Sequence, residues 1–154
     1  MKKIYNIFLI LTLSIVSVSC THNNGDIGHY FGTWKLDRMT INGADDVDYQ
    51  NNVLWKFQAG VMCMVRVDDV THIKTEGWGT WEEDGNILRI SYIHHDDSNP
   101  EGSSKYSPLP ETHIPKGVTE LEILKQNSST MELKYINNEG QVILYYFDKW
   151  KNHD

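Results

Sequence analysis

The stretch Thr130-Met131-Glu132-Leu133-Lys134-Tyr135-Ile136-Asn137-Asn138-Glu139-Gly140-Gln141-Val142-Ile143-Leu144-Tyr145-Tyr146-Phe147 decides the fold class. Its first part alternates. Met131, Leu133 and Tyr135 fall on one side of an extended chain, and Glu132 and Lys134 on the other. Asn137 to Gly140 supply residues that tolerate the positive φ of a tight turn. The segment after the turn, Val142 to Phe147, is apolar on both sides. Its outer face therefore needs a cover: a short helix, the N-terminal segment or another molecule.

The same grammar extends back to Tyr30. The pattern predicts strands over 32–41, 53–58, 60–67, 74–83, 86–93, 118–126, 130–136 and 141–149. Turn residues separate them at Asn42-Gly43, Ala59-Gly60, Asp84-Gly85-Asn86 and Asn127-Ser128-Ser129. Leu88, Ile90 and Tyr92 oppose Arg89 and Ser91. Leu121 and Ile123 oppose Glu120 and Glu122. No stretch carries an apolar period of 3.6 over three turns. The expectation is an all-β chain, an eight-stranded antiparallel up-and-down barrel whose closure removes its sheet edges.

The chain has 154 residues, enough for one domain over 29–150, with 151–154 as a tail. Its start reads as a leader. Met1-Lys2-Lys3 is basic, and Ile4 to Val18 is an apolar run of about 15 residues, short of the roughly 20 that a spanning helix needs. Ser17 and Ser19 flank Val18 just before Cys20. That arrangement resembles a bacterial lipobox of the Bacteroidetes type. The resemblance implies removal of residues 1–19, a diacylglycerol on the Cys20 sulfur and palmitate among the acyl chains. Residues 20–28 would then be a polar tether. Localisation at the outer membrane follows, on the periplasmic face because no strong acidic run succeeds Cys20. Surface display is the other arrangement, and an ordinary cleaved signal with a free Cys20 is the plain one. Acylation of Cys20 leaves Cys63 without a disulfide partner, as a small buried hydrophobe. A Cys20–Cys63 disulfide is the competing state.

The formal net charge is −7, and loss of Lys2 and Lys3 makes it more negative. Nothing in such a surface neutralises phosphates, so nucleic acid is excluded as a partner.

Gly32-Thr33-Trp34 opens the first strand. A Gly-x-Trp there, ahead of an exported eight-stranded barrel, resembles the lipocalins and the small lipocalin-like domains of Bacteroidetes lipoproteins. Gly79-Thr80-Trp81, Asn86 to Ile90, Met131 to Tyr135 and Tyr145-Tyr146-Phe147 carry the rest of the likeness, over about residues 29–150. The resemblance implies that Gly32 and Trp34 close one barrel end. It also implies that a basic residue after the last strand, Lys149 or Lys151, lies over the Trp34 ring. It further implies room for one small hydrophobic ligand and no enzymatic activity.

Trp55, Phe57, Tyr92, Leu133, Tyr135 and Tyr146 are the inward candidates. They either line a ligand cavity or pack a solid core. Met62, Met64 and Arg66 share one strand face. If that face is inward, Arg66 receives the head group of a fatty-acid-like ligand and the two methionines line its chain. If it is outward, Val61, Cys63, Val65 and Val67 fill the core, and the β-branched valines favour this second arrangement.

Residues 94–117 hold all four prolines of the chain. A connection this long is functional or disordered, with room for a short edge strand at Thr112-His113-Ile114. It offers an alternative function: a protein partner, or an inhibitor's target, read by the loop on a filled barrel. His94, His95, Asp96, Asp97, Glu101 and His113 are ligand types, but adjacent residues on a strand end diverge, so no metal is expected. Asp45, Asp46 and Asp48 lack the spacing of a calcium loop and cap a turn. No cofactor is expected. Glu82 and Glu83 diverge on their strand, and no nucleophile or phosphate-loop motif is present.

Overall fold

Alternating apolar and polar residues bounded by Asn-Gly, Asp-Gly and Ala-Gly turns give strands throughout the computed structural model, which describes residues 30–94 and 105–151. In chain order these are β1 (Gly32–Ile41), β2 (Ala44–Asp45), β3 (Val53–Gln58), β4 (Val61–Val67), β5 (Lys74–Asp84), β6 (Ile87–Tyr92), β7 (Gly117–Gln126), β8 (Thr130–Ile136) and β9 (Val142–Lys149). Among the described residues between β6 and β7 lies a 3-10 turn, Pro110–Thr112. All pairings are antiparallel and run sequentially from β3 to β9. β1 pairs both β3 and β9, which closes an eight-stranded barrel, and the two-residue β2 folds back on β1. The leader, the tether, His95, Asp96, Asp97 and Glu101 lie outside the described residues.

Two bulges set the faces. Asp37 is the extra residue where β1 pairs β9, so Leu36 and Met39 both point inward although three positions apart. Leu124 does the same on β7 against β8. Without either bulge the rest of its strand would present the wrong face.

The barrel interior is occupied by side chains. Trp55 stands at its centre, with ring centroids 4.8 Å from Phe147, 5.8 Å from Tyr145 and 6.3 Å from Phe57. Met62, Met64, Leu88, Ile90, Leu121, Met131 and Leu133 surround these rings, all fully buried. The outer face is polar, with cross-strand pairs Arg89–Glu120, Lys134–Glu122 and Lys125–Glu132. Such exposed pairs are worth little individually.

The last strand, β9, turns the other of its two tyrosines inward. Tyr145, not Tyr146, is inward; Tyr146 lies on the outer row with Arg38 4.1 Å above its ring. The cover foreseen for that outer face comes, among the described residues, from neighbouring strands rather than a helix. Thr40 and Lys134 flank Leu144, and Arg38 and Glu132 flank Tyr146.

Candidate functional site

The meander places the β3–β4, β5–β6 and β7–β8 turns at one end, together with the start of β1 and the end of β9. This end is sealed by aromatic rings. Tyr30 packs on Trp81 and Phe57 with centroids 5.0 and 5.4 Å away, and its carbonyl accepts the Trp34 indole N–H at 2.8 Å. Lys149 Nζ lies 4.2 Å above the Trp34 ring and donates to the Phe31 carbonyl. Partial burial lowers the pKa of this ammonium. Gly32 makes room for it: φ is +110°, and a Cβ would sit 3.3 Å from the lysine's Cε and Nζ. Gly32→Ala is therefore expected to cost about 1–3 kcal/mol. A urea titration checks this, and an unchanged midpoint would remove the steric argument.

At the other end lie the long connections, and here a segment outside the strands enters the core. Leu109, Thr112 and Ile114 are 2%, 0% and 4% exposed, and Leu109 and Ile114 belong to the same apolar cluster as the strands. They form a plug across the barrel mouth. The sequence pattern predicts a loop here, with room for a short edge strand at Thr112-His113-Ile114. Three prolines at 108, 110 and 115 instead favour a turn, and Pro110 starts the 3-10 turn. The Thr112 hydroxyl and amide both donate to the Leu109 carbonyl, at 2.7 and 3.0 Å, which makes the plug a self-contained wedge.

Polar contacts at separate points hold the wedge to the barrel, and at its start the Trp78 amide on β5 donates to the Lys105 carbonyl at 2.6 Å. The Tyr145 hydroxyl donates to the Thr112 carbonyl at 2.8 Å, and burial raises this phenol's pKa, which keeps it a donor. Thr112 Oγ1 lies 3.8 Å from Met64 Sδ. His113 Nε2 and Asp46 Oδ2 are 2.9 Å apart, and Arg66 Nη1 and Glu111 Oε1 are 3.3 Å apart. On β5 the inward Gly77 admits the plug's approach, because a Cβ there would lie 2.3 Å from the Ser107 carbonyl oxygen. The inward Gly79 likewise leaves space for the Tyr92 ring.

The sequence candidates now have positions. Trp55, Phe57, Tyr92, Leu133 and Tyr135 line the interior, and Tyr146 does not. Met62 and Met64 are inward, against the arrangement that the valines favoured. Cys63 and Val65 lie on the opposite side of β4, buried between outer-row neighbours. Flexible methionines fit an irregular interior around Trp55, and this packing outweighed strand propensity. Arg66, next in the inner row, reaches the mouth rim. Sequence reasoning missed Leu109, Thr112, Glu111 and Tyr145; only the Pro-Leu-Pro-Glu-Thr run hinted at an ordered turn. Asp46 Oδ1 caps a turn by accepting the Asp48 amide at 3.1 Å. No metal-competent group of three ligands occurs among the described residues.

Cys63 is a free, buried thiol whose pKa burial pushes up to about 12. The native state therefore holds its proton more tightly than the unfolded chain, and this contribution to stability is lost as pH rises from 9.0 toward about 12. At pH 8 the native protein is expected to resist a thiol reagent and to react promptly in denaturant. Equal rates in both states would contradict the burial.

A family model, the lipocalin-like domain, matches residues 11–149. The chain belongs to the lipocalin-like domain family. Among solved structures it is similar to a lipocalin-like protein from Bacteroides uniformis, with a TM-score of 0.59 and 19% identity over 80% of this chain and 100% of that one. It is also similar to an uncharacterized protein from Bacteroides eggerthii, with a TM-score of 0.57 and 14% identity over 79% of this chain and 99% of that one. At these identities the likeness shows the fold. No curated protein matches. A lipocalin-like barrel is generally a binding fold rather than a catalytic one. In this member the end sealed by Trp34 is built by strands, whereas the mouth is closed by a wedge from a connection.

Proposed function

We propose that this lipocalin-like chain is a non-enzymatic binding protein that takes a small hydrophobic ligand at the barrel mouth, where the ligand displaces the 105–116 plug. The carrying observation is that Leu109 and Ile114, two residues outside the strands, belong to the apolar core that the strands build, with Thr112 fully buried between them. Strands held by ladders of hydrogen bonds do not leave, but one short turn held by a few contacts can. Its departure bares Met64, Tyr145 and neighbouring apolar side chains. Trp55 occupies the centre below, so the ligand's apolar part lies in the mouth rather than along the barrel axis. Among the described residues the buried Tyr92 hydroxyl and Trp55 indole N–H have no protein partner, and a ligand oxygen or a bound water would answer them.

The proposal includes anchoring of acylated Cys20 at the outer membrane, facing the periplasm. The tether would join at Tyr30, so the mouth would face away from the bilayer. The alternative of a protein-interaction or inhibitor module using the 94–117 loop loses support, because the plug's apolar residues point into the barrel. Native mass spectrometry of the chain purified from its own membrane tests both parts. The expected spectrum carries an acyl mass on Cys20 and a retained ligand of low mass. A bare chain that also fails to bind an apolar fluorescent probe would refute the ligand reading.

A further inference from the structure

The plug brings one charged side chain into the mouth. Glu111 sits on the 3-10 turn, and its side chain is 21% exposed. Its Oε1 is buried 3.3 Å from Arg66 Nη1, yet receives no well-aligned hydrogen bond from the described residues. Arg66 follows Met62 and Met64 along the inner row of β4, and its Nη2 donates to Thr75 Oγ1 at 3.1 Å. A carboxylate facing a rim guanidinium, with Leu109 and Ile114 buried beside it, has the layout of an amphiphile: a charged head at the rim and apolar parts in the mouth.

We infer that Glu111, Leu109 and Ile114 act as a built-in stand-in for the ligand, that the ligand is an apolar molecule ending in a carboxylate, and that Glu111 competes with it for Arg66. This rests on the mouth being the ligand site, as proposed above. A carboxylate taken from water needs a partner, and Glu111 has an imperfect one because its turn dictates its approach. A ligand head on a flexible chain can meet the guanidinium fork with two parallel bonds. Arg66 thus keeps a carboxylate partner in both states. The exchange is driven by the ligand's apolar part and opposed by the population of the plugged state.

The test uses the full chain stripped of bound lipid, at pH 8, titrated with palmitate and with hexadecanol, which differ only at the head. Palmitate is expected to bind about tenfold tighter. Glu111→Gln is expected to tighten both probes by about three- to tenfold, because the plug is held less firmly, and to keep the preference. Arg66→Gln is expected to abolish the preference. Equal affinities in the parent chain, a preference that survives Arg66→Gln, or an unchanged palmitate affinity in Glu111→Gln would each overturn the inference while leaving the mouth as a ligand site. Binding of neither probe would overturn both. Thermal melts confirm that the two rim variants are folded.

Discussion

Trp34→Ala is expected to destabilise the protein by about 3–5 kcal/mol, the largest loss from any single truncation at the sealed end. Trp34 is 0% exposed, so the change leaves a cavity the size of an indole. The Tyr30 carbonyl loses its donor, and Lys149 loses the ring beneath it. The cation–ring contact alone is worth about 0.5–2 kcal/mol. Trp34→Phe keeps a ring under Lys149 but not the N–H, so its cost is smaller. Urea unfolding by tryptophan fluorescence and by circular dichroism measures both, with an unchanged slope showing that the transition is still two-state. A cost below about 1 kcal/mol for the alanine variant would mean that this end is not sealed by Trp34.

Leu109→Asp is expected to act differently, by expelling the plug instead of unfolding the barrel. It puts a carboxylate at a site 2% exposed within the apolar core cluster. An unpaired buried charge is not tolerated, so the segment moves out to water. No strand carries residue 109, and the barrel ladders stay intact. Far-UV circular dichroism should remain that of the parent. Affinity for an apolar probe should rise by about tenfold or more, because the open form no longer has to be drawn from a small population. A variant that loses its β spectrum would show that the segment is integral to the core, and unchanged probe binding would show that it does not block the mouth.

The strands were legible because their signals are local. Asn137 to Gly140, Asp84-Gly85 and Ala59-Gly60 mark turns, and alternation such as Met131-Glu132-Leu133-Lys134-Tyr135 marks faces. Gly32, Trp34 and Lys149 came together through family resemblance rather than through any spacing. Faces were misread where alternation has no polar member. Val142 to Phe147 is apolar throughout, so nothing in it says that Tyr145 rather than Tyr146 is inside. The β4 run Val-Met-Cys-Met-Val failed for the same reason, and there the packing around Trp55 decided. The bulges at Asp37 and Leu124 add a residue that no local pattern announces. The plug was illegible because its partners, Met64, Tyr145 and Asp46, are distant in sequence and its own residues read as a turn.

Amide hydrogen exchange across residues 105–116, with and without saturating palmitate, addresses displacement of the plug most directly. The Thr112 and His113 amides are bonded within the turn in the closed protein, to the carbonyls of Leu109 and Pro110. The expected result is faster exchange at these two amides when palmitate binds, with the β3, β4 and β9 amides as protected as before. Bound palmitate with unchanged or greater protection at Thr112 and His113 would contradict displacement and place the ligand elsewhere.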